Sequence, residues 1–252
     1  MGRKQAAAEA LEWSLANGFD VVAVITDSHI SQSVTADTAR RLGIPLLSMQ
    51  EVHDKIENGE LEFEIAISFV FWQKIKIPVL GHPKYGIINF HPVPLPDYKG
   101  TAGYNMAILD ELSTWSVTSH YIDESIDTGE IIDIFSFSID SEEETALTLE
   151  NKSQNFMLSL YKKTMKNVLR YGLLETVNNG EGRYITRKEM EAMKAIKDGD
   201  NIDKKIRAFW FPPYTGAYIE LNGTKYTLIN DFILRTLAAK GQTFQIPSVK
   251  KV

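Results

Sequence analysis

IINFHPVPLPDYKG, residues 87–100, carries two isoleucines into Asn89-Phe90-His91 and then into three prolines and a glycine. The apolar start reads as a buried strand, and the proline run ends it, because proline cannot donate to a sheet ladder. Side chains alternate along a strand, so Asn89 and His91 share one face and Phe90 takes the other. In an open parallel sheet, ligands gather where strands end at their carboxyl side. An amide and an imidazole at that end are therefore either a cap and a hydrogen-bonded core histidine, or the start of a site.

The flanking sequence fits such a sheet. Residues 5–16 carry Ala, Leu and Trp at helical spacing and stop at Asn17-Gly18. Residues 20–26 are a short apolar run, 35–42 are helix-like, 44–47 extended, and 51–58 a polar helix closed by Gly59. Strands are expected at 64–69 and 85–90, a helix at 102–111, strands at 116–122 and 131–137, and a long helix at 145–171. Short apolar runs alternating with helices argue for an α/β fold with a mainly parallel sheet covered on both faces. After Asn178-Asn179-Gly180 the composition shifts to Tyr, Thr and turn residues, with Asn222-Gly223 between two short runs as a hairpin signal. The expected organisation is a core over 1–177 and a small β-rich subdomain over 178–252.

Composition narrows the function. With 252 residues, 44% of them hydrophobic, the chain can bury one sizeable core and an appendage. A net charge of −6 without a Lys/Arg block argues against nucleic acid as partner. The absence of cysteine rules out disulfides, thiolate metal ligands and a cysteine nucleophile. No apolar run reaches the roughly 18 residues of a membrane span and the first residues lack a signal-peptide core, so a cytoplasmic location without membrane association is expected.

A second stretch, VTSHYIDESIDTGEII at 117–132, places Asp127 in an Asp-Thr-Gly turn. Such an aspartate commonly serves its own backbone. Beside an imidazole it can instead hold the ring's tautomer and take up charge during proton transfer. His120, alternating along the same strand, reads as a supporting residue.

Asn-x-His-x-x-x-Leu-Pro-x-x-x-Gly at 89–100, followed by Val-Thr-x-His-x-x-Asp-x-x-x-Asp-Thr-Gly at 117–129, resembles the formyltransferase family that uses 10-formyltetrahydrofolate. The resemblance is strong over 64–132 and implies a Rossmann-like core. It implies Asn89, His91 and Asp127 as catalytic residues, no metal, and 10-formyltetrahydrofolate as co-substrate. It also places the folate beside Phe71, Trp72 and Gln73 and the loop Asp123, Glu124, Ser125 and Ile126, although core packing explains Phe71 and Trp72 equally well.

The resemblance leaves the amine open among methionyl-tRNA, glycinamide ribonucleotide and sugar acceptors, with formyl-folate hydrolysis or a non-catalytic binding module as further alternatives. A tRNA enzyme is expected to carry a larger, basic C-terminal domain. The loop 92–96 and the run 206–217 look most like the sugar N-formyltransferases, which serve cell-surface glycan and O-antigen lipopolysaccharide synthesis. A nucleotide-linked amino sugar is thus the expected substrate, met by Gly2, Arg3, Lys4, Pro94, Tyr104, Trp210 and Tyr214. Family members begin with a strand before the glycine turn, and this chain opens on the turn, so the first strand is expected to be absent from the sheet. The C-terminal unit is expected either to cover the site or to form a homodimer contact.

Overall fold

The computed structural model describes residues 1–26 and 33–239. Its contacts divide the chain into two units, the first comprising Met1–Gly100, Thr114–Ser138 and Asn151–Tyr184. The second comprises Thr101–Ser113, Ile139–Glu150 and the described residues from 185 onward.

In the first unit, helix α1 (Gln5–Ala16) buries Ala6, Ala7, Ala8, Ala10 and Leu11. Small side chains of high helix propensity allow this close approach. Helix α2 (Val34–Arg41) starts where the Ser33 side chain accepts the Ala36 N–H, and α3 (Met49–Glu57) starts on a reciprocal Ser48/Glu51 capping box. Strand β1 (Ala66–Phe69) then pairs in parallel with β2 (Ile87–His91), with Ser68 opposite Asn89. A short strand β3 (Tyr98–Gly100) follows, and after α4 (Gly103–Leu109) of the second unit come β4 (Thr114–Tyr121) and β5 (Ile131–Ser138). The sheet order is β1-β2-β4-β5, antiparallel from β2 onward. The parallel part of the sheet is the β1/β2 pair, and a separate parallel bridge joins Val24 and Leu46. β4 and β5 run antiparallel because a short connection, 122–130, is enough to join them.

Phe90 fixes which face of β2 is the core face. It is fully buried, stacks on Phe69 with ring centroids 4.9 Å apart, and meets Tyr161 of α5 (Ala146–Tyr171) at 5.2 Å. A one-residue slip would drive this ring to the opposite face, so the register of Asn89 and His91 is set by packing behind them.

The run 20–26 forms no continuous strand. Val24 bonds Pro45 and Leu47, and the Ile25 carbonyl accepts the Gly2 N–H at 3.0 Å. Met1 and Gly2 occupy the line between that run and β1: the Met1 amine donates to the Ile67 carbonyl at 2.6 Å and the Met1 carbonyl accepts the Phe69 N–H at 2.9 Å. Gly2 has φ +150°, and a Cβ there would lie 3.0 Å from Ala7 Cβ, so only glycine passes between helix and strand. Alongside, a cleft of about 800 Å³ is lined by Val21, Val22, Ala23, Phe63, Ile65 and Ile67 among others.

The second unit centres on Ile108, Ile206, Phe209, Ala217 and Ile233. Asn105 of α4 donates to the Ala208 carbonyl of α7 (Ile202–Ala208) at 2.6 Å, and Lys204 pairs with Glu111. The expected hairpin is β7 (Tyr218–Leu221) and β8 (Thr224–Thr227), turned by Asn222 and Gly223 at φ 52° and 76°. The β-rich expectation left out the helices beyond 178. After β6 (Arg183–Ile185), which pairs with β3, come α6 (Arg187–Met193), α7 and α8 (Asp231–Ala239). α6 and α7 span about two turns each, too short for a clear apolar period, and are marked mainly by their caps at Thr186 and Asn201.

Candidate active site

The β2/β4 register assembles the site. Asn89 lies opposite His120, and His91 lies opposite Thr118. All four side chains fall on the face away from Phe90, and all four residues are less than a tenth exposed. Thr118 is consumed by structure: its hydroxyl donates to the Val93 carbonyl at 2.7 Å and accepts the Leu95 N–H at 3.2 Å. With the Trp115 indole donating to the Pro92 carbonyl at 2.9 Å, this clamps the proline loop onto β4.

Asp127 reaches the same place from the loop after β4. Its backbone is left-handed at φ 56°, a conformation aspartate tolerates better than most residues. The Gly100 N–H donates to Asp127 Oδ2 at 3.0 Å, and Asn179 Nδ2 donates to the Asp127 and Gly129 carbonyls, each at 2.9 Å. Gly129 is obligatory: a Cβ there would sit 2.0 Å from the Tyr121 carbonyl oxygen. The Asp-Thr-Gly turn and the carboxylate's placement are thus one construction, in which the Asp127 side chain accepts from the Gly100 amide while Asn179 holds the turn's own carbonyls.

His91 Nε2 lies 3.3 Å from Asp127 Oδ2, close but not aligned as a hydrogen bond. Burial pushes the His91 pKa below its usual 6.5, and the Asp127 carboxylate opposes that shift without reversing it. His120 is pushed down to about 4, first by burial and then by neighbouring His91. Its Nε2 lies 3.0 Å from Asn89 Nδ2 and its Nδ1 lies 2.7 Å from the Tyr121 carbonyl oxygen.

Beside these groups opens a small pocket of about 130 Å³. Its walls bring together Phe71, Trp72 and Gln73 from the end of β1, Asn89, His120 and Asp127 from the site, and Asp123, Ser125 and Ile126 from the loop. Phe71 also packs against the core around Ile75 and Val79, as its structural reading required. Val70, a β-branched residue at φ 49°, turns the chain so that 71–73 reach the pocket. Asp123 holds the opposite wall, its Oδ1 accepting the Ser125 N–H at 2.9 Å and the Thr128 hydroxyl at 2.6 Å. Glu124 is exposed and does not line this pocket. A flat heteroaromatic ring suits walls of this kind, with an indole, a phenyl ring and a few backbone and side-chain polar groups.

Of the residues expected to meet the sugar nucleotide, Gly2, Arg3 and Lys4 lie at the N-terminus of α1, beside the carboxyl end of β1. The Ser33 and Thr35 hydroxyls donate to the Arg3 and Lys4 carbonyls at 3.3 and 3.1 Å, and burial beside Arg3 lowers the Lys4 pKa to about 8. Pro94 sits in the clamped loop, its carbonyl accepting the Tyr98 N–H at 3.3 Å. Tyr104, Trp210 and Tyr214 belong to the second unit. There Trp210 packs on the core and its carbonyl accepts the Leu147 N–H, while the Tyr214 ring lies 6.0 Å from that of Phe211. Two supports were not legible in the sequence: the Gly100 amide, which no side chain marks, and Asn179, which lies 52 residues beyond Asp127 in what reads only as a turn.

The sequence profile described as formyl transferase matches residues 5–165. The chain belongs to this family. Among curated relatives it is 27% identical to the methionyl-tRNA formyltransferase of Bacillus mycoides over 238 residues, 88% of this chain and 74% of that protein. Among solved structures it resembles an N-formyltransferase from Helicobacter canadensis, in complex with folinic acid and dTDP-3-aminofucose. That likeness has TM-score 0.72 and 27% identity, over 89% of this chain and 83% of the other. The sugar 3-N-formyltransferase WlaRD, solved with dTDP and 5-N-formyltetrahydrofolate, is 26% identical with TM-score 0.72, over 89% of this chain and 82% of that one. A 4-N-formyltransferase from Francisella tularensis, at 20% identity and TM-score 0.74 over 89% and 93% of the two chains, shares the fold. This formyltransferase therefore carries the Rossmann-like α/β fold. Among its described residues no group of three or more metal-ligating side chains is gathered, and no helix is long and apolar enough to cross a membrane.

Proposed function

We propose that this formyltransferase moves a formyl group from 10-formyltetrahydrofolate to the amine of a nucleotide-linked amino-deoxy sugar, such as a dTDP-4-amino-4,6-dideoxyhexose, for cell-surface glycan synthesis. The observation that carries the reading is the convergence of Asn89, His91 and Asp127 beside the pocket walled by Phe71, Trp72 and Gln73. The likeness to sugar N-formyltransferases solved with folates and dTDP ligands supports the substrate class. A net charge of −6 speaks against tRNA, whose backbone calls for a basic surface.

When bound, the folate supplies the formyl carbon. The chain's own residues do the rest. His91 is neutral at pH 7, and with Nε2 turned to Asp127 its Nδ1 carries the lone pair that takes the proton of the attacking amine. The resulting imidazolium is stabilised by the Asp127 carboxylate, which the Gly100 amide holds in place. An Asn89 Nδ2 hydrogen and the protonated His91 face the oxygen on which negative charge develops, as an oxyanion hole does. His91 then releases the same proton toward the departing nitrogen, so none is gained or lost over the cycle.

The test is direct. The purified protein is incubated with 10-formyltetrahydrofolate and, separately, nucleotide-linked amino sugars, glycinamide ribonucleotide and methionyl-tRNA, and products are weighed by mass spectrometry. One added formyl group on a sugar nucleotide is expected. Formylation of methionyl-tRNA or the ribonucleotide alone would overturn the substrate assignment.

A further inference from the structure

His120 has no part in the proton transfers above, yet at 2% exposure it is more enclosed than Asn89 or His91. Its two ring nitrogens face different partners. Nδ1 lies 2.7 Å from the Tyr121 carbonyl oxygen, which can only accept, so Nδ1 carries the hydrogen. Nε2 of a neutral ring is then a lone pair, and it lies 3.0 Å from Asn89 Nδ2. That lone pair accepts one N–H of the Asn89 amide. A reversed amide would set Oδ1 against Nε2, lone pair against lone pair, and leave both buried acceptors unsatisfied.

Resting on the formyl-transfer reading above, we infer that His120 is a positioning residue whose fixed tautomer locks the Asn89 amide with its second N–H directed into the pocket as donor to the formyl oxygen. The backbone is shaped for this. The β4/β5 pairing shifts register between Ser119 and His120, and such a bulge re-aims a side chain. The cross-strand pairing of His120 with Asn89 then brings the two together. The charged or titratable groups around the ring are His91, edge-on at 6.1 Å, Asp127, with Oδ1 at 3.9 Å, and Asp123. Burial and His91 keep the ring uncharged at neutral pH, as the relay requires. A charged His120 would donate from both nitrogens, turn Oδ1 of Asn89 toward itself, and leave the amide unable to serve the same oxygen in the same way.

The first measurement is spectroscopic and uses the full chain labelled with ¹⁵N in histidine and asparagine. At pH 7 the neutral Nδ1–H tautomer of His120 is expected, with a coupling across the hydrogen bond between Asn89 Nδ2 and His120 Nε2. An Nε2–H tautomer or an imidazolium at that pH overturns the inference. The second measurement is kinetic, on His120→Phe and His120→Gln with the accepted amine. Gln can accept from Asn89 with Oε1 and donate to the Tyr121 carbonyl with Nε2, whereas Phe can do neither. A kcat loss of about 10-fold or more in the Phe variant, with KM within about 2-fold and much of kcat restored in the Gln variant, is expected. Unchanged kcat in the Phe variant, or equal losses in both, overturns it. If the Phe variant does not fold, Asn89→Asp decides: a carboxylate cannot donate to Nε2, so His120 should become an imidazolium at pH 7, and a ring that stays neutral is the adverse result. Should the wild-type protein formylate no amine at all, the function proposed above falls by itself, and the spectrum alone upholds or overturns the tautomer relay.

Discussion

Asp127 Oδ2 serves two partners: it accepts the Gly100 N–H at 3.0 Å and stands 3.3 Å from His91 Nε2. The carboxylate is thereby fixed on the backbone and acts on the ring. Burial lowers the His91 pKa below 6.5 and Asp127 holds it from falling further. His91 acts as a base only when neutral, so activity falls as pH drops through its pKa, below pH 6.5. In Asp127→Asn the opposing charge is gone, so the acid limb should move to still lower pH while the plateau drops by roughly 10²-fold. A kcat/KM profile across pH 4.5 to 8 reads both effects, and an unshifted limb would sink the assignment of Asp127.

Asn89→Ala and His91→Ala should each lower kcat by about 10²-fold or more with KM changed little, since both groups act on charge that exists only in the transition state. The double variant should lose less than the product of the single losses, because the residues work on one proton and one oxygen. Near-normal turnover in either single variant would remove that residue from the chemistry.

How far these residues were legible in the sequence follows from how local their signals are. The strand ending on Asn89 and His91 declared itself through its alternation and the prolines after it, and the structure puts Phe90 on the buried face as that alternation requires. Helix α1 ends where Asn17-Gly18 said it would. The run 20–26 has the composition of a strand but keeps only a bridge, because strand character needs a hydrogen-bonded partner along its length and composition does not report partners. The role of Asn179 depends on a contact across 52 residues, and that of the Gly100 amide on backbone geometry alone, so neither leaves a mark in the local pattern.

Trp72 is 56% exposed and walls the pocket, so its burial adds little to the fold, while a planar ligand would cover it. Trp72→Ala should raise KM for 10-formyltetrahydrofolate by roughly 10-fold, leave kcat within about 2-fold and leave the melting temperature nearly unchanged. A thermal shift of many degrees with unaltered KM would show that the indole belongs to the core.

Stability should fall in acid through His120. Its folded pKa, about 4, lies below the ordinary 6.5, so between these values the unfolded chain binds the proton that the native ring refuses. The neutral ring's contribution is complete above pH 6.5 and is lost as pH falls toward 4, on the order of 3 kcal/mol from this group. Urea unfolding of the wild type and of His120→Gln at pH 7 and pH 5 isolates the effect. The Gln variant should lose less stability between the two, and parallel losses would mean that other groups carry the acid sensitivity.

The cleft beside Met1, about 800 Å³, is lined on two sides by residues 21–25 and 61–67. Met1 and Gly2 bond Ile25 on one side and Ile67 and Phe69 on the other, so an extended apolar segment ahead of Met1 would continue that line of backbone into the cleft. Met1 already occupies the end of that line, and burial pushes its amine down to about 5 because the charge is poorly hydrated there. Fusing five apolar β-formers ahead of Met1 should replace the ammonium with a peptide N–H to the Ile67 carbonyl and cover Val22, Phe63 and Ile65. The covered apolar surface is worth a few kcal/mol, which for a chain of this size raises the melting temperature by roughly 5 to 10 °C. A fused segment of equal length rich in Pro and Asp should give no rise, since it can neither pair nor pack. Equal melting temperatures for the apolar fusion and the unextended chain would mean that the cleft closes by relaxation and needs no strand.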